Sequence, residues 1–354
     1  MHAANRFSRR SLLKGIGAGA LAVGLGSRAF VPDRGTAAPD GPPVGKDELF
    51  QKTAPPAKVG LLKGNDRRDV VYQALKKIED QILSAIGNKR ILIKPNFVST
   101  SQPLAATHVD AVRAILDFLK PHHQQQIMVA ESATLGGSTF DGFKRYGYLP
   151  LEEEYHVKLV DLNRQPWRYR YVLGRGNAPT KIRIISTFFD PDLYIISAAK
   201  MKTHDRVVTT LSLKNVLLGA PINDARGNDK PTMHLAANFS REAVLHYNMF
   251  QLAQEIYPDL GVIDGFEAME GNGPVGGTPV DARIALASTD PLAMDMLATK
   301  LMGFDPGQIM YFRSMWEAGM GQGDLEKIEV LGTPVEQCRY KFKPNQRIAE
   351  AYGL

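Results

Sequence analysis

From residue 58 onward, short apolar runs alternate with stretches in which apolar residues recur every three or four positions. The run 58–62 predicts a strand, and Val71, Leu75, Ile78, Ile82 and Ile86 share one helical face. The run 90–94 predicts a buried strand ended by Pro95, and Val109, Val112, Leu116 and Leu119 mark a helix stopped before Pro121. Residues 127–130 predict a further strand, followed by a helix capped by Ser138 or Thr139. Strand-like runs follow at 158–162, 169–173, 182–186, 193–197, 261–263, 283–287 and 328–331. Helical patterns fall at 206–218, 241–256, 291–302 and 307–318. This alternation, with strands apolar throughout, predicts an α/β fold: a largely parallel sheet flanked by helices. The polar and aromatic stretch 165–190 interrupts it and is where a division into two lobes is expected.

Before residue 57 the pattern is different. Residues 30–56 are rich in Pro, Gly, Ala and Asp and read as a linker. Residues 1–29 carry Arg6, Arg9, Arg10, Lys14 and Arg28 and no acid. Arg9-Arg10, Leu12-Leu13 and Lys14 precede a weakly apolar run of about a dozen residues, too short for the roughly 20 of a spanning helix. The arrangement resembles a twin-arginine translocation signal, with small residues for cleavage at Ser27-Arg28-Ala29 or Thr36-Ala37-Ala38. A disordered basic tail and an uncleaved anchor are the competing readings. Export predicts a periplasmic or otherwise exported protein with the twin-arginine translocase as partner, and no stable membrane span after processing.

The 354 residues are 44 % hydrophobic and 23 % charged, as in a globular protein, and carry a formal charge of +6. Setting aside the five basic residues of the N-terminus leaves 38 Lys and Arg against 37 Asp and Glu, a net +1. The basic excess therefore belongs to the leader, and the body lacks the electrostatic footprint of a nucleic-acid binder. A single cysteine, Cys338, excludes an intrachain disulfide, a cysteine-built zinc site and a four-cysteine iron–sulfur cluster within this chain.

Ligands of open parallel sheets sit where strands end at their carboxyl edge. Lys94-Pro95-Asn96 leaves a strand there, although a lysine beside a turn is as often merely exposed. The segment 199–204, with Lys200, Lys202, Thr203 and His204, reads as a strand-to-helix junction, and Lys214-Asn215 lie in the helix expected next. These residues are candidates for holding a phosphate or carboxylate, with His204 moving a proton or remaining a structural histidine. Asp264, Glu267 and Glu270 enter a glycine-rich loop and are candidates for a divalent metal or, through Glu267 and Glu270, acid–base chemistry. Asp290 before Pro291 is most simply a helix N-cap. His234, near Lys230, is a lesser candidate.

Taken in order, residues 91–96, 199–204, 213–219, 263–274 and 290–295 resemble the family called domain of unknown function 362 (DUF362). The resemblance implies an α/β domain over 57–335, with 336–354 as a C-terminal extension, and supplies no reaction. Many members carry a ferredoxin-like cysteine segment; this sequence has only Cys338, so no electron-transfer role carries over. Two functions are expected to compete. One is an exported enzyme acting on a small anionic metabolite, with or without a metal. The other is a non-catalytic periplasmic anion- or metal-binding or maturation protein. His204 within reach of the carboxylates would favour the first.

Overall fold

The computed structural model describes residues 54–235 and 241–353. The expected export signal and nearly all of the expected linker lie outside these residues. Strands β1 (Ala57–Lys63), β2 (Arg90–Lys94), β3 (Met128–Glu131) and β4 (Lys158–Asp161) alternate with helices α1 (Arg67–Lys76), α2 (Glu79–Ile86), α3 (Val109–Leu119), α4 (Thr139–Arg145) and α5 (Leu151–Glu154). The hairpin β5 (Trp167–Leu173) and β6 (Pro179–Ile185) precedes β7 (Leu193–His204), β8 (Val208–Thr210) and α6 (Ser212–Leu217). Two-residue strands β9 (Asn223–Asp224) and β10 (Gly227–Asn228) lead to α7 (Arg241–Ala253) and β11 (Leu260–Glu270). The chain closes with β12 (Thr278–Val280), β13 (Ile284–Ser288), α8 (Pro291–Leu301), α9 (Met310–Glu317), β14 (Ile328–Gly332) and α10 (Gln346–Tyr352).

One sheet of ten strands runs in the order β14-β1-β13-β11-β7-β2-β3-β4, with β8 added on β7 and β12 on β11. Strands β11, β7, β2, β3 and β4 are mutually parallel, and β13 runs antiparallel between β11 and β1. The expected α/β class with a mostly parallel sheet is the observed one. The division into two lobes is not. Residues 167–185 form a separate antiparallel hairpin, and the chain beyond it returns to the same sheet, inserting β7 and β11 between β13 and β2.

Apolar layers cover both faces, as strands apolar on both sides require. Val71, Leu75, Ile82, Val112 and Ile115 pack one face from α1, α2 and α3, and Leu213, Val216, Leu245 and Leu292 pack the other from α6, α7 and α8. Helix α1 lies so close on β1 that a Cβ at Gly60 would stand 2.2 Å from the carbonyl oxygen of Ala74.

Several element boundaries differ from those the pattern predicts. The single helical face over 71–86 is shared by two helices, α1 and α2, which break at Lys77-Ile78 while keeping Leu75, Ile78 and Ile82 buried. The helix expected over 206–218 is strand β8 and the six-residue α6. Ser138 caps α4 in a reciprocal capping box with Asp141. The tail 336–354 is no appendage: Cys338, Phe342 and Ile348 are buried in the core.

Asp290 caps α8 as expected, accepting from Ala293 N (3.0 Å) and also from Gln322 N (2.8 Å). Asp290→Ala orphans both donors and is expected to destabilise the fold by about 1–2 kcal/mol. Urea unfolding checks this; an unchanged midpoint would show that both amides find other partners.

Candidate functional site

Parallel neighbours bring β2, β7 and β11 to one edge, and β7 and β11 continue past the end of β2. Lys200, Met201, Lys202, Thr203 and His204 are therefore not a junction but the buried final half of β7. Likewise Asp264 through Glu270 are strand, not loop: β11 runs on to Glu270 and pairs with β12. Lysines ended the apolar runs in the sequence, but pairing of β7 with β8 and β11 carries the backbone onward.

Lys94 ends β2 fully buried, its Nζ donating to Glu131 Oε2 (2.7 Å), Asn215 Oδ1 (3.0 Å) and Pro95 O (3.2 Å). Burial lowers its pKa, and the Glu131 carboxylate opposes that shift. Asn215, on the wholly buried α6, donates to Lys94 O and Ser197 Oγ and accepts from Asn96 Nδ2 (3.1 Å). Helix α6 is held by Asp295 of α8, which accepts from Ser212 N (3.0 Å) and Leu213 N (2.8 Å), its carboxyl pushed up by burial to about 8. A Cβ on Gly219, which follows α6, would stand 2.3 Å from Lys94 Cε; glycine there lets Lys94 lie against the helix end.

Lys202 Nζ donates to the carbonyl of Ala105 (2.6 Å). Among the described residues no carboxylate lies within salt-bridge distance of Lys202 or Lys214. Burial, then the neighbouring Lys214 and Lys200, holds Lys202 well below the ordinary lysine range, and burial brings Lys214 to about 8 against the pull of Asp205. Lys230 donates to Gly219 O (2.8 Å) and Ser132 Oγ (3.2 Å), and burial with Lys94 nearby brings its amine to about 7. Lys94, Asn96, Glu131, Lys202, Thr210 and Lys214 line a cavity of about 50 Å³. The buried Thr210 Oγ1 and Asn96 Oδ1 have no hydrogen-bond partner there.

A second buried charge cluster involves Lys200. Asp264 lies 3.8 Å from Lys200 Nζ and 3.3 Å from Arg67 Nε, and the backbone amides of Phe266 and His108 point to it. Burial works to raise the Asp264 carboxyl, but Lys200 and Arg67 hold it below the ordinary carboxylate range. Arg67 also lies over the Phe266 ring, 5.1 Å from its centre.

The remaining candidates part company. Thr203 Oγ1 donates to Gly271 O (3.0 Å), fastening β7 to the turn after β11. Glu267 is exposed. Glu270 accepts from the backbone of Lys343 (2.9 Å) and faces its Nζ at 3.6 Å. Asp264 and Glu270 thus have separate partners, and among the described residues no three His, Cys, Asp or Glu side chains are grouped to hold a metal ion. The expected metal set does not fit this geometry.

His204 Nδ1 accepts from Arg206 N (3.0 Å) and faces Asp205 Oδ1 at 3.3 Å, and its ring stacks on His234 at 6.4 Å. Burial, with Lys214 and His234 adding to it, keeps it neutral. It is not among the residues lining the cavity, and no Asp264, Glu267 or Glu270 oxygen is among its partners. Glu131, Arg67 and Lys230 were not singled out as site residues by the sequence pattern. Glu131 carried a usable signal: it ends an apolar strand run, as Lys94 does.

These features define an α/β protein with a lysine-lined polar cavity at the carboxyl edge of a mostly parallel sheet. A family model described as Domain of unknown function (DUF362) matches residues 91–300, more than half of the chain and nearly all of this site. The chain belongs to that family. A relative, the thylakoid-associated protein sll1697 of Synechocystis sp. (strain ATCC 27184 / PCC 6803 / Kazusa), is 27 % identical over 262 residues, covering 72 % of this chain and 77 % of that protein. A crystal structure of a Thermotoga maritima protein matches with a TM-score of 0.38 at 10 % identity, covering 62 % of this chain and 55 % of that one. The chain spans about half the length of that solved structure.

Proposed function

We propose that this chain is an exported protein that binds a small anionic metabolite among Lys94, Lys202 and Lys214. The observation that carries this reading is the charge balance of the cavity: three buried lysines line it, against the single carboxylate of Glu131. Buried charges are ordinarily paired, and two ammonium groups about 4 Å apart repel by on the order of 4 kcal/mol at an effective dielectric near 20. An anion between them offsets that repulsion and gives Thr210 Oγ1 a partner. The absence of His204 from the cavity lining and the scattered acids favour binding over catalysis.

Lys202→Met keeps volume and removes one ammonium. It is expected to weaken binding of inorganic phosphate by about 1.5–3 kcal/mol, the range for a hydrogen bond to a charged group. Because it also removes an unpaired buried charge, the variant should fold at least as stably as the wild type. Titration calorimetry with phosphate, alongside urea unfolding, tests both statements. Equal affinity in the two proteins would remove Lys202 from the site, and no phosphate binding by the wild type would overturn the reading.

Export is supported by Arg9-Arg10 ahead of a weakly apolar run, and among the described residues no helix is long and apolar enough to cross a membrane. Replacing Arg9 and Arg10 by lysine is expected to leave the protein in the cytoplasm. Cell fractionation checks this, and undiminished export of the variant would mean another route carries it.

A further inference from the structure

The lysine cavity has room for one phosphate-sized group, but it has a neighbour. Thr134 lines it and also lines a second cavity of about 440 Å³, whose wall includes Arg175, Lys230, Pro231, His234 and Leu235. Lys230 forms the partition. Its Nζ donates to Gly219 O and Ser132 Oγ, and both of those residues line the inner cavity. Among the described residues no Asp or Glu lines the outer cavity. Its volume is in the range of small-molecule sites, whereas the inner one is well below it.

Building on the anion-binding reading above, we propose that the ligand is an organic molecule with two anionic groups. Its phosphate sits among Lys94, Lys202 and Lys214, and a carboxylate on a short organic linker passes Thr134 to reach Arg175 and Lys230. Three features favour this class over a lone phosphate. Lys230 and Lys94 repel each other across the partition, so one anion on each side offsets more of that repulsion than a single one does. Arg175 is exposed at the rim and offers the planar donor fork that suits a carboxylate. Pro231 and Leu235 supply apolar surface for the linker, and His234, held neutral by burial at about 3, adds no charge of its own.

The test is titration calorimetry with inorganic phosphate, glycerol 3-phosphate and 3-phosphoglycerate; the last two differ by one carboxylate. The expected result is 3-phosphoglycerate binding roughly tenfold or more tighter than glycerol 3-phosphate, the effect of one charge-assisted hydrogen bond. Arg175→Ala should abolish most of that difference and leave inorganic phosphate affinity unchanged. Because Arg175 is exposed, this variant is expected to fold normally. Equal affinities for the two organic phosphates would overturn the outer subsite while leaving the inner anion site standing. A preference for 3-phosphoglycerate that survives Arg175→Ala would overturn the placement of its carboxylate. No binding of any of the three would overturn the inner site, and this proposal with it.

Discussion

Glu131→Ala is expected to cost the protein about 3–5 kcal/mol of stability at pH 7, the cost of breaking a buried ion pair from one side. The Lys94–Glu131 pair is 2.7 Å long, with both side chains almost wholly inaccessible to water. Without the carboxylate, Lys94 keeps only Asn215 Oδ1 and Pro95 O as acceptors, and Lys202, Lys214 and Lys230 surround it uncompensated. Lys94 then sheds its proton more readily, so the loss should shrink as pH rises from 7 to 9. Glu131→Gln, which retains an acceptor for Nζ, should cost less than Glu131→Ala. Urea unfolding of both variants at the two pH values checks the series. A loss below about 1 kcal/mol for Glu131→Ala at pH 7 would show that Lys94 is already neutral in the wild-type protein.

The lysine cluster should also make the ligand-free protein more stable in mild alkali than at neutrality. Lys214 and Lys230 titrate at about 8 and about 7 when folded, against 10.5 as the ordinary value. Between pH 7 and about 10 the unfolded chain therefore holds more protons than the folded one, so stability rises with pH across that window. A fall of 2.5 units for Lys214 alone corresponds to on the order of 3 kcal/mol. Burial raises Tyr148, Tyr257 and Tyr311 far above the usual tyrosine range, and their ionisation on unfolding reverses the trend above about pH 10. The measurement is the urea midpoint at pH 7, 8 and 9.5 with and without phosphate. Phosphate should raise the midpoint most at pH 7, where the cluster is most cationic. A midpoint that falls from pH 7 to 9.5 without phosphate would mean that these lysines are not depressed.

Much of this site could be read from strand exits. The apolar run before Lys94 pointed to the edge at which Lys94 and Asn96 lie, and Lys214-Asn215, expected in the helix after 199–204, lie on α6. The fate of Lys200–His204 and Asp264–Glu270 was not legible, because alternating lysines and acids look like the end of a strand. Here pairing with β8 and β12 supplies the missing hydrogen bonds, the Ala105 carbonyl receives Lys202 and the Asp264 carboxylate receives Lys200. The loss of the expected metal set follows from the same extension. Along β11, Asp264 goes to Arg67 and Lys200, and Glu270 to the tail at Lys343. Glu131 was overlooked because an acid closing a four-residue strand reads as an ordinary strand end. Its role depends on Lys94, 37 residues away, and only the pairing of β2 with β3 brings them together.

The burial of the tail bears on how the protein is made. Cys338, Phe342 and Ile348 fill the same core as β1, which is completed near residue 63. At roughly 5–20 residues per second of synthesis, about 15–60 s separate the emergence of these two parts. Gly271 N donates to Lys343 O (2.8 Å) and Asn345 Nδ2 to Gly273 O (3.2 Å), so the turn after β11 also waits for Lys343 and Asn345. The nascent chain must stay incomplete until residues 338–348 have been made, leaving the apolar end of α8 and the turn after β11 open for a holding chaperone to shield.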